Sequence, residues 1–433
     1  MKVVTLSTKD SFGGAARVAF RLHEEINRMG IEDILLVNSK RTASSTVHLA
    51  ENYHDPQNRI TTFLNKYKLK LQEKRRRIIW GGYPNMQNKI LSDIAISLLK
   101  NSLDKIDFDL VHMHWVGESY VDFTEFRNVD KPIIWTIHDC FSFTGLCSYF
   151  EDCDKYKSHC NACPQLGSTK EKDLSYQVFD MKKKRYSSLN FHIVSPSKWL
   201  AKAAKESVLL NKYPVTVIPN GIDTSVFAPM DKEEAKKLLS LDPKKKTILF
   251  GGISAMADPR KGGDLLRDSL KQLSGMYAED EIELLIFGAE KKDDYTFDFP
   301  VRFLGYVSEE ADLNLAYNAA DVTIVPSTHE NLPNTILESL SCGTPVVAFD
   351  IGGNPDMIDH QQNGYLAKPY DIFDLTVGIV YTLSHNEDKT LSHNARKKVL
   401  DNFKIEDIAN RYVELYNQVL ESKVSDPNIL ANE

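Results

Sequence analysis

Two glutamates eight residues apart, Glu330 and Glu338, sit in the run Ser327-Thr-His-Glu330-Asn331-Leu332-Pro-Asn334-Thr335, which continues past Glu338 to Cys342-Gly-Thr-Pro345 and Gly352-Gly353. The apolar runs Ala320–Pro326 before it and Pro345–Phe349 after it read as strands, so the stretch between them is a helical crossover joining parallel strands. Glu330 then stands at the mouth of a parallel sheet, on the side where open α/β sheets take ligands, with Glu338 about one turn inside the helix. The backbone N–H groups of Asn334 and Thr335 would face an anion from the helix N-terminus. Carboxylates so placed can each accept from vicinal hydroxyls, one pair on a sugar and one on a ribose, while the helix end holds phosphates between them. The ordinary alternative is a solvated Glu338 and a Glu330 that merely favours the helix dipole.

Other segments carry chemistry of their own. Gly13-Gly14-Ala15 follows a strand and opens a helix, and paired glycines let backbone approach a ligand. The spacing is not G-x-G-x-x-G, so a nicotinamide or flavin cofactor is not supported. The loop Gly251–Gly263 holds Arg260 and Lys261 between a strand and an apolar helical pattern, where cations would make charge-assisted contacts to phosphate. His138 ends the strand-like run Ile133–Ile137, from which it can donate to a sugar hydroxyl or turn its carbonyl toward a reacting carbon; it is not read as a general base. His112 and His114 share one strand face, either packed on the sheet or with one of them lining an acceptor. Four cysteines, Cys147, Cys153, Cys160 and Cys163, cluster within one segment, with Cys140 and His159 nearby. In a reducing compartment such a cluster, ending in Cys-x-x-Cys, predicts a structural zinc clip rather than disulfides. Four protein ligands would leave it no open catalytic position.

The elements that must position these residues alternate. Lys2–Ser7, Ile34–Val37, Leu110–His114, Ile133–Ile137 and His192–Ser195 read as one set of strands, and Thr247–Gly252, Ile282–Gly288, Val301–Gly305 and the two flanking Glu330 as another. Strands separated by helical stretches predict doubly wound α/β architecture. The expected organisation is a Rossmann-like domain over 1–225, a second over 226–400, a helix over 401–425 that crosses back to the first, and a flexible tail over 426–433. Val215–Asp223, Pro229 and the lysine-rich 231–246 stretch mark the expected linker. The terminal helix places Ile408, Tyr412, Leu415, Tyr416 and Val419 on one face. With 433 residues, 42% hydrophobic and 26% charged, the composition is that of a globular chain with room for two cores. The net charge of −7 gives no reason to expect a nucleic-acid partner. The sequence has no stretch of membrane-spanning length and runs from Met1 straight into a strand, so a cytoplasmic location is expected. Basic residues at helical spacing, Lys66, Lys70, Lys74 and Arg77, and the run Met181–Tyr186 could touch an anionic membrane surface, or be solvated.

The Glu-x7-Glu spacing, with Asn-Leu-Pro-Asn, Cys-Gly-Thr-Pro-Val-Val and Gly-Gly around it, resembles the family 4 retaining glycosyltransferases of GT-B fold. The resemblance implies two Rossmann-like domains facing a cleft, a nucleoside diphosphate sugar as co-substrate, and no catalytic metal. It places the transferred sugar on Glu330 and the nucleotide ribose on Glu338. The donor site would include Gly13, Gly14, Arg260, Lys261, Asn331, Leu332, Asn334 and Thr335, with His138, Glu330 and Lys261 at the reacting centre. Two departures stand out. Asn331-Leu332-Pro333 replaces the Gly-Phe-Gly common in the family, which bears on the sugar, and the usual upstream arginine falls near Ser254 or Ala255, so Arg260 would substitute. The His-Asp segment followed by clustered cysteines is similar to that of bacterial exopolysaccharide and capsule transferases resembling the colanic acid enzymes. A glycan or lipid-linked oligosaccharide is therefore the implied acceptor. The rival readings are an epimerase of the same fold, for which no acid-base pair is evident, and an inactive sugar-nucleotide-binding or scaffolding subunit.

Overall fold

The computed structural model describes residues 1–50, 82–83, 99, 103–118, 120–292 and 295–425. Lys66–Arg77, read as a basic patch, lies outside them. The chain forms two compact units. One runs from Met1 to Ile218 and takes up the chain again at Ala409; the other is Pro219–Ile408.

In the first unit, β1 (Lys2–Lys9), β2 (Glu32–Ser39), β3 (Val47–Leu49), β4 (Leu110–Met113), β5 (Ile133–Thr136), β6 (Phe191–Ser195) and β7 (Val215–Val217) form one sheet, ordered β3-β2-β1-β4-β5-β6-β7. Every pairing is parallel. β4 and β5 are buried along their whole length, as strands covered on both faces must be. The helix Gly14–Arg28 buries Ala16, Ala19, Leu22 and Ile26 at three- and four-residue intervals and stops before Gly30, whose φ of 83° cannot continue it.

The second unit repeats the plan. β8 (Lys246–Gly251), β9 (Ile282–Phe287), β10 (Val301–Gly305), β11 (Val322–Val325), β12 (Val346–Phe349) and β13 (Gly364–Ala367) pair in the order β10-β9-β8-β11-β12-β13, again all parallel. In each sheet the strand order reverses once, between β1 and β4 and between β8 and β11. Loops leaving the carboxyl ends of those neighbours diverge there, which opens the crevice where such sheets bind ligands.

The doubly wound architecture expected from the alternating pattern is present. β3, β7 and β13 are additional: β3 and β7 have three residues each, and β13 opens on Gly364, a residue that weakens a strand pattern. The lysine-rich stretch expected as a linker behaves differently. Lys232–Leu238 is a helix capped by Asp231, and Lys236 is buried, donating to Asp321 at 2.9 Å and to the Lys245 carbonyl. Lys232 and Lys236 are ion-pair partners of Asp321 within the second unit, and the division between the units falls at Ile218, within the Val215–Asp223 part of the expected linker. The terminal helix Ile405–Ser425 belongs to the second unit through Ile408 and to the first from Ala409. Ile408, Tyr412, Leu415 and Tyr416 are buried, as its apolar face requires. Among the described residues no helix is long and apolar enough to cross a membrane.

Candidate active site

The reversal between β8 and β11 brings together three of the residues singled out from sequence. The loop after β8 ends in a short turn, Pro259–Lys261, capped by Asp258, and the loop after β11 carries Glu330. Lys261 Nζ donates to Glu330 Oε1 at 2.6 Å and Arg260 Nη1 donates to the same oxygen at 3.0 Å. Arg260 also donates to the His329 carbonyl and to Asp258, and Thr328 N–H donates to the Arg260 carbonyl at 2.8 Å. The two loops are thus tied by backbone and side chain alike. Glu330 is 6% exposed. Burial alone would raise its carboxyl, but Lys261 and Arg260 outweigh it and hold the group below its ordinary value.

Two glycines permit this approach. Gly262 has φ of 73°, and a Cβ there would lie 2.0 Å from the Pro326 carbonyl oxygen; Gly352 has φ of 53°, and a Cβ there would lie 1.8 Å from that of Glu330. Gly262 and Gly352 are therefore positional requirements of the site.

Past Glu330, Asn331 and Leu332 are buried and the Leu332 carbonyl accepts from Asn220. The helix Asn334–Ser341 begins with Asn334 and Thr335 behind Pro333, which offers no side-chain acceptor to the first-turn N–H groups. Glu338 takes a different environment from Glu330. It is buried and accepts from the Tyr317 hydroxyl at 2.9 Å. The solvated alternative for Glu338 is therefore wrong, and Tyr317 is a partner that the sequence did not indicate, since it comes from the preceding crossover helix.

Gly13, Gly14 and His138 belong to the first unit. Gly13 precedes the helix Gly14–Arg28 with φ of 106° and no side-chain cap. His138, half-buried, shares a 3.0 Å hydrogen bond between its Nε2 and His114 Nδ1, with the rings stacked. Burial lowers His138 to about 4. His112 is packed inside, between Thr136 and the Tyr416 hydroxyl at 2.8 Å each, and burial brings it down to about 3.

Among the described residues no three His, Cys, Asp or Glu side chains converge as a metal-ligand set. Cys140 and Cys160 pack into the main core of the first unit, Cys163 packs against a separate cluster around Leu166 and Leu174, and Cys147 and Cys153 are half-buried. Cys160 Sγ accepts from Gly145 N–H, and burial pushes its thiol up to about 12, toward the protonated form. Spacing does not reveal that these thiols pack against different apolar clusters, though Cys153 lies within electrostatic reach of both Cys160 and Cys163. In the run Met181–Tyr186, Lys183 and Lys184 are exposed, while the other cations are engaged internally. Lys182 is buried and donates to the Phe141 and Thr144 carbonyls, Lys184 pairs with Asp180, and Arg185 pairs with Asp122.

Residues 12–226 match the family described as Glycosyltransferase Family 4, and residues 245–385 match that described as Glycosyl transferases group 1. The chain belongs to the family 4 glycosyltransferases. It is 26% identical over 363 residues to WcaC of Escherichia coli K12, named as a colanic acid biosynthesis glycosyl transferase, covering 80% of this chain and 83% of that one. It is 25% identical over 217 residues to a UDP-Gal:alpha-D-GlcNAc-diphosphoundecaprenol alpha-1,3-galactosyltransferase of Escherichia coli, covering 48% of this chain and 55% of the relative. In fold, this transferase superposes on the crystal structure of Anabaena HepE, described in complex with UDP-glucose, with a TM-score of 0.62 at 16% identity over 96% of this chain and 100% of that one. The two units of this glycosyltransferase are those of the GT-B fold.

Proposed function

We propose that this family 4 enzyme transfers a sugar from a nucleoside diphosphate sugar to a growing, lipid-linked bacterial glycan, with retention of anomeric configuration. The observation that carries the reading is the convergence of Arg260 and Lys261 on buried Glu330 beside the start of the helix Asn334–Ser341. Two cations and a helix N-terminus suit a diphosphate, and an ionised carboxylate among them suits sugar hydroxyls. On donor binding the phosphates take up Arg260 and Lys261, which frees Glu330 for the sugar. Charge developing on the leaving diphosphate is then stabilised by the same cations, with Asn331, Leu332, Asn334 and Thr335 shaping the pocket and Glu338 directed to the ribose. Within the first unit, His138 and the Gly13-Gly14 turn are the groups assigned to acceptor handling. The leaving phosphate removes the acceptor proton on the face it departs from, so positioning is the enzyme's main contribution.

The acceptor class follows the diphosphoundecaprenol-linked substrate in the galactosyltransferase's name, and exopolysaccharide assembly follows WcaC's. A lipid-linked acceptor implies work in the cytoplasm at the inner face of the membrane. The test is binding and hydrolysis of a panel of nucleoside diphosphate sugars by the native protein, Glu330→Ala and Lys261→Ala. One donor is expected to bind and be slowly hydrolysed, with turnover reduced by roughly 100-fold or more in each variant. A folded native protein that binds no donor would overturn the reading.

A further inference from the structure

The hydrogen bond between His114 and His138 leads inward to a group with no partner. His114 is 1% exposed, and its Nε2 is one of two buried side-chain polar atoms left without a hydrogen bond among the described residues. A ring nitrogen sealed from solvent and unpaired costs about 1–3 kcal/mol. Its surroundings hold a cavity of about 20 Å³, with His114, His138, Asp139 and Ser142 among its polar walls and Trp115 and Phe141 among its apolar ones. A water needs at least about 10–15 Å³ measured in this way and two to four polar partners. Three are available: His114 Nε2, the Asp139 carboxylate and the Ser142 hydroxyl.

Asp139 is fixed at the cavity edge. Its Oδ1 caps the turn Cys140–Phe143 by accepting from Phe141 N–H at 2.9 Å, Oδ2 receives a long 3.3 Å contact from the Trp115 indole, and the Ser148 side chain also donates to the carboxylate. Burial raises this carboxyl above its ordinary value despite those donors, so a further donor would favour its ionised form.

We propose that the cavity holds one structural water linking His114 Nε2 to the Asp139 carboxylate, and that His114 is the positioning residue that fixes the tautomer of His138. The polarity follows from charge. The carboxylate draws one water proton, and the Ser142 hydroxyl, which donates to the Asp139 carbonyl at 3.5 Å, accepts the other, so the water accepts from His114 Nε2–H. His114 Nδ1 is then an acceptor and must take its hydrogen bond from His138 Nε2–H. The chain from Asp139 through water and His114 leaves His138 as a single neutral tautomer with the proton on Nε2. The inference assigns a purpose to His138 only through the transferase reading above, but its own content is a protonation state that exists without donor.

The test is long-range ¹H–¹⁵N correlation of ¹⁵N-histidine-labelled full-length protein near neutral pH, with the His138 signals assigned by their loss in His138→Gln. The native protein is expected to show His138 protonated on Nε2 alone. His114→Phe, which removes the acceptor, should produce the Nδ1–H form or a mixture, whereas His114→Asn, whose carboxamide oxygen can accept in place of Nδ1, should restore the native pattern. A His138 tautomer unchanged in His114→Phe would overturn the proposal, as would a native Nδ1–H form or a dry cavity in a high-resolution crystal structure. With a donor identified, His114→Phe should lower kcat about 10-fold or more with donor KM unchanged. If no donor is ever turned over, the proposed function fails while the tautomer result stands or falls alone.

Discussion

Glu330 accepts from two cations on one oxygen, and that arrangement rests on a residue with no side chain. Gly262 follows Lys261 in a left-handed turn against the Pro326 carbonyl. Gly262→Ala should cost upward of about 1–2 kcal/mol in backbone strain alone. Because the clash is with backbone of the neighbouring loop, the variant should also weaken donor binding by displacing Lys261. Chemical denaturation and donor titration of one sample would check both, and unchanged affinity would mean the two loops can shift without disturbing the cluster. Much at this scale was legible in the sequence. Glu330 and Lys261 stand beside a strand end, a helix start and a glycine, each a local signal. The pairing of His114 with His138 was not, because it depends on β4 lying beside β5 with Met113 opposite Trp135, a register set by the whole sheet. Nor could spacing show that Cys160 and Cys163 would pack into separate apolar clusters.

At the scale of elements, the terminal helix carries the strongest inference. Its apolar face was readable from period alone, but the polar work of its tyrosines was not. The Tyr416 hydroxyl bonds His112 Nδ1 at 2.8 Å, and that of Tyr412 bonds Thr136 Oγ1 at 3.0 Å, both within the core of the first unit. Tyr416→Phe leaves a buried ring nitrogen without a partner and should cost about 1–3 kcal/mol. Tyr412→Phe should cost less, since Thr136 keeps its bond to His112 Nε2. Urea unfolding of the two variants side by side would rank them, and equal losses would place the effect in packing rather than in hydrogen bonding. The short strands β3, β7 and β13 escaped the sequence reading for a related reason. Their few residues are held by neighbours rather than by a pattern of their own.

At the scale of the molecule, three histidines of the first unit, buried His112 and His114 and half-buried His138, have depressed pKa values. Below their ordinary pKa of 6.5 the unfolded chain binds protons that the folded chain refuses. Stability is therefore full above that pH and falls as pH drops from 6.5 toward about 4 for His138 and about 3 for His112. Each such group contributes up to about 1.4 kcal/mol per pH unit across its window. Glu330 acts in the same direction further down, since its depressed carboxyl loses its contribution as pH falls through its ordinary value of 4.5 and below. Denaturation midpoints measured between pH 8 and pH 5 should decline steadily below 6.5, and a flat profile would mean these histidines are not held neutral.

The second unit interrupts the first, whose last buried hydroxyls come from Tyr412 and Tyr416 near the end of the chain. During synthesis Pro219–Ile408 is translated in full before those tyrosines exist. The first unit therefore cannot finish folding until the ribosome has passed Tyr416, and a transcript cut short after the second unit yields a complete second unit attached to a first unit missing the tyrosine partners of His112 and Thr136.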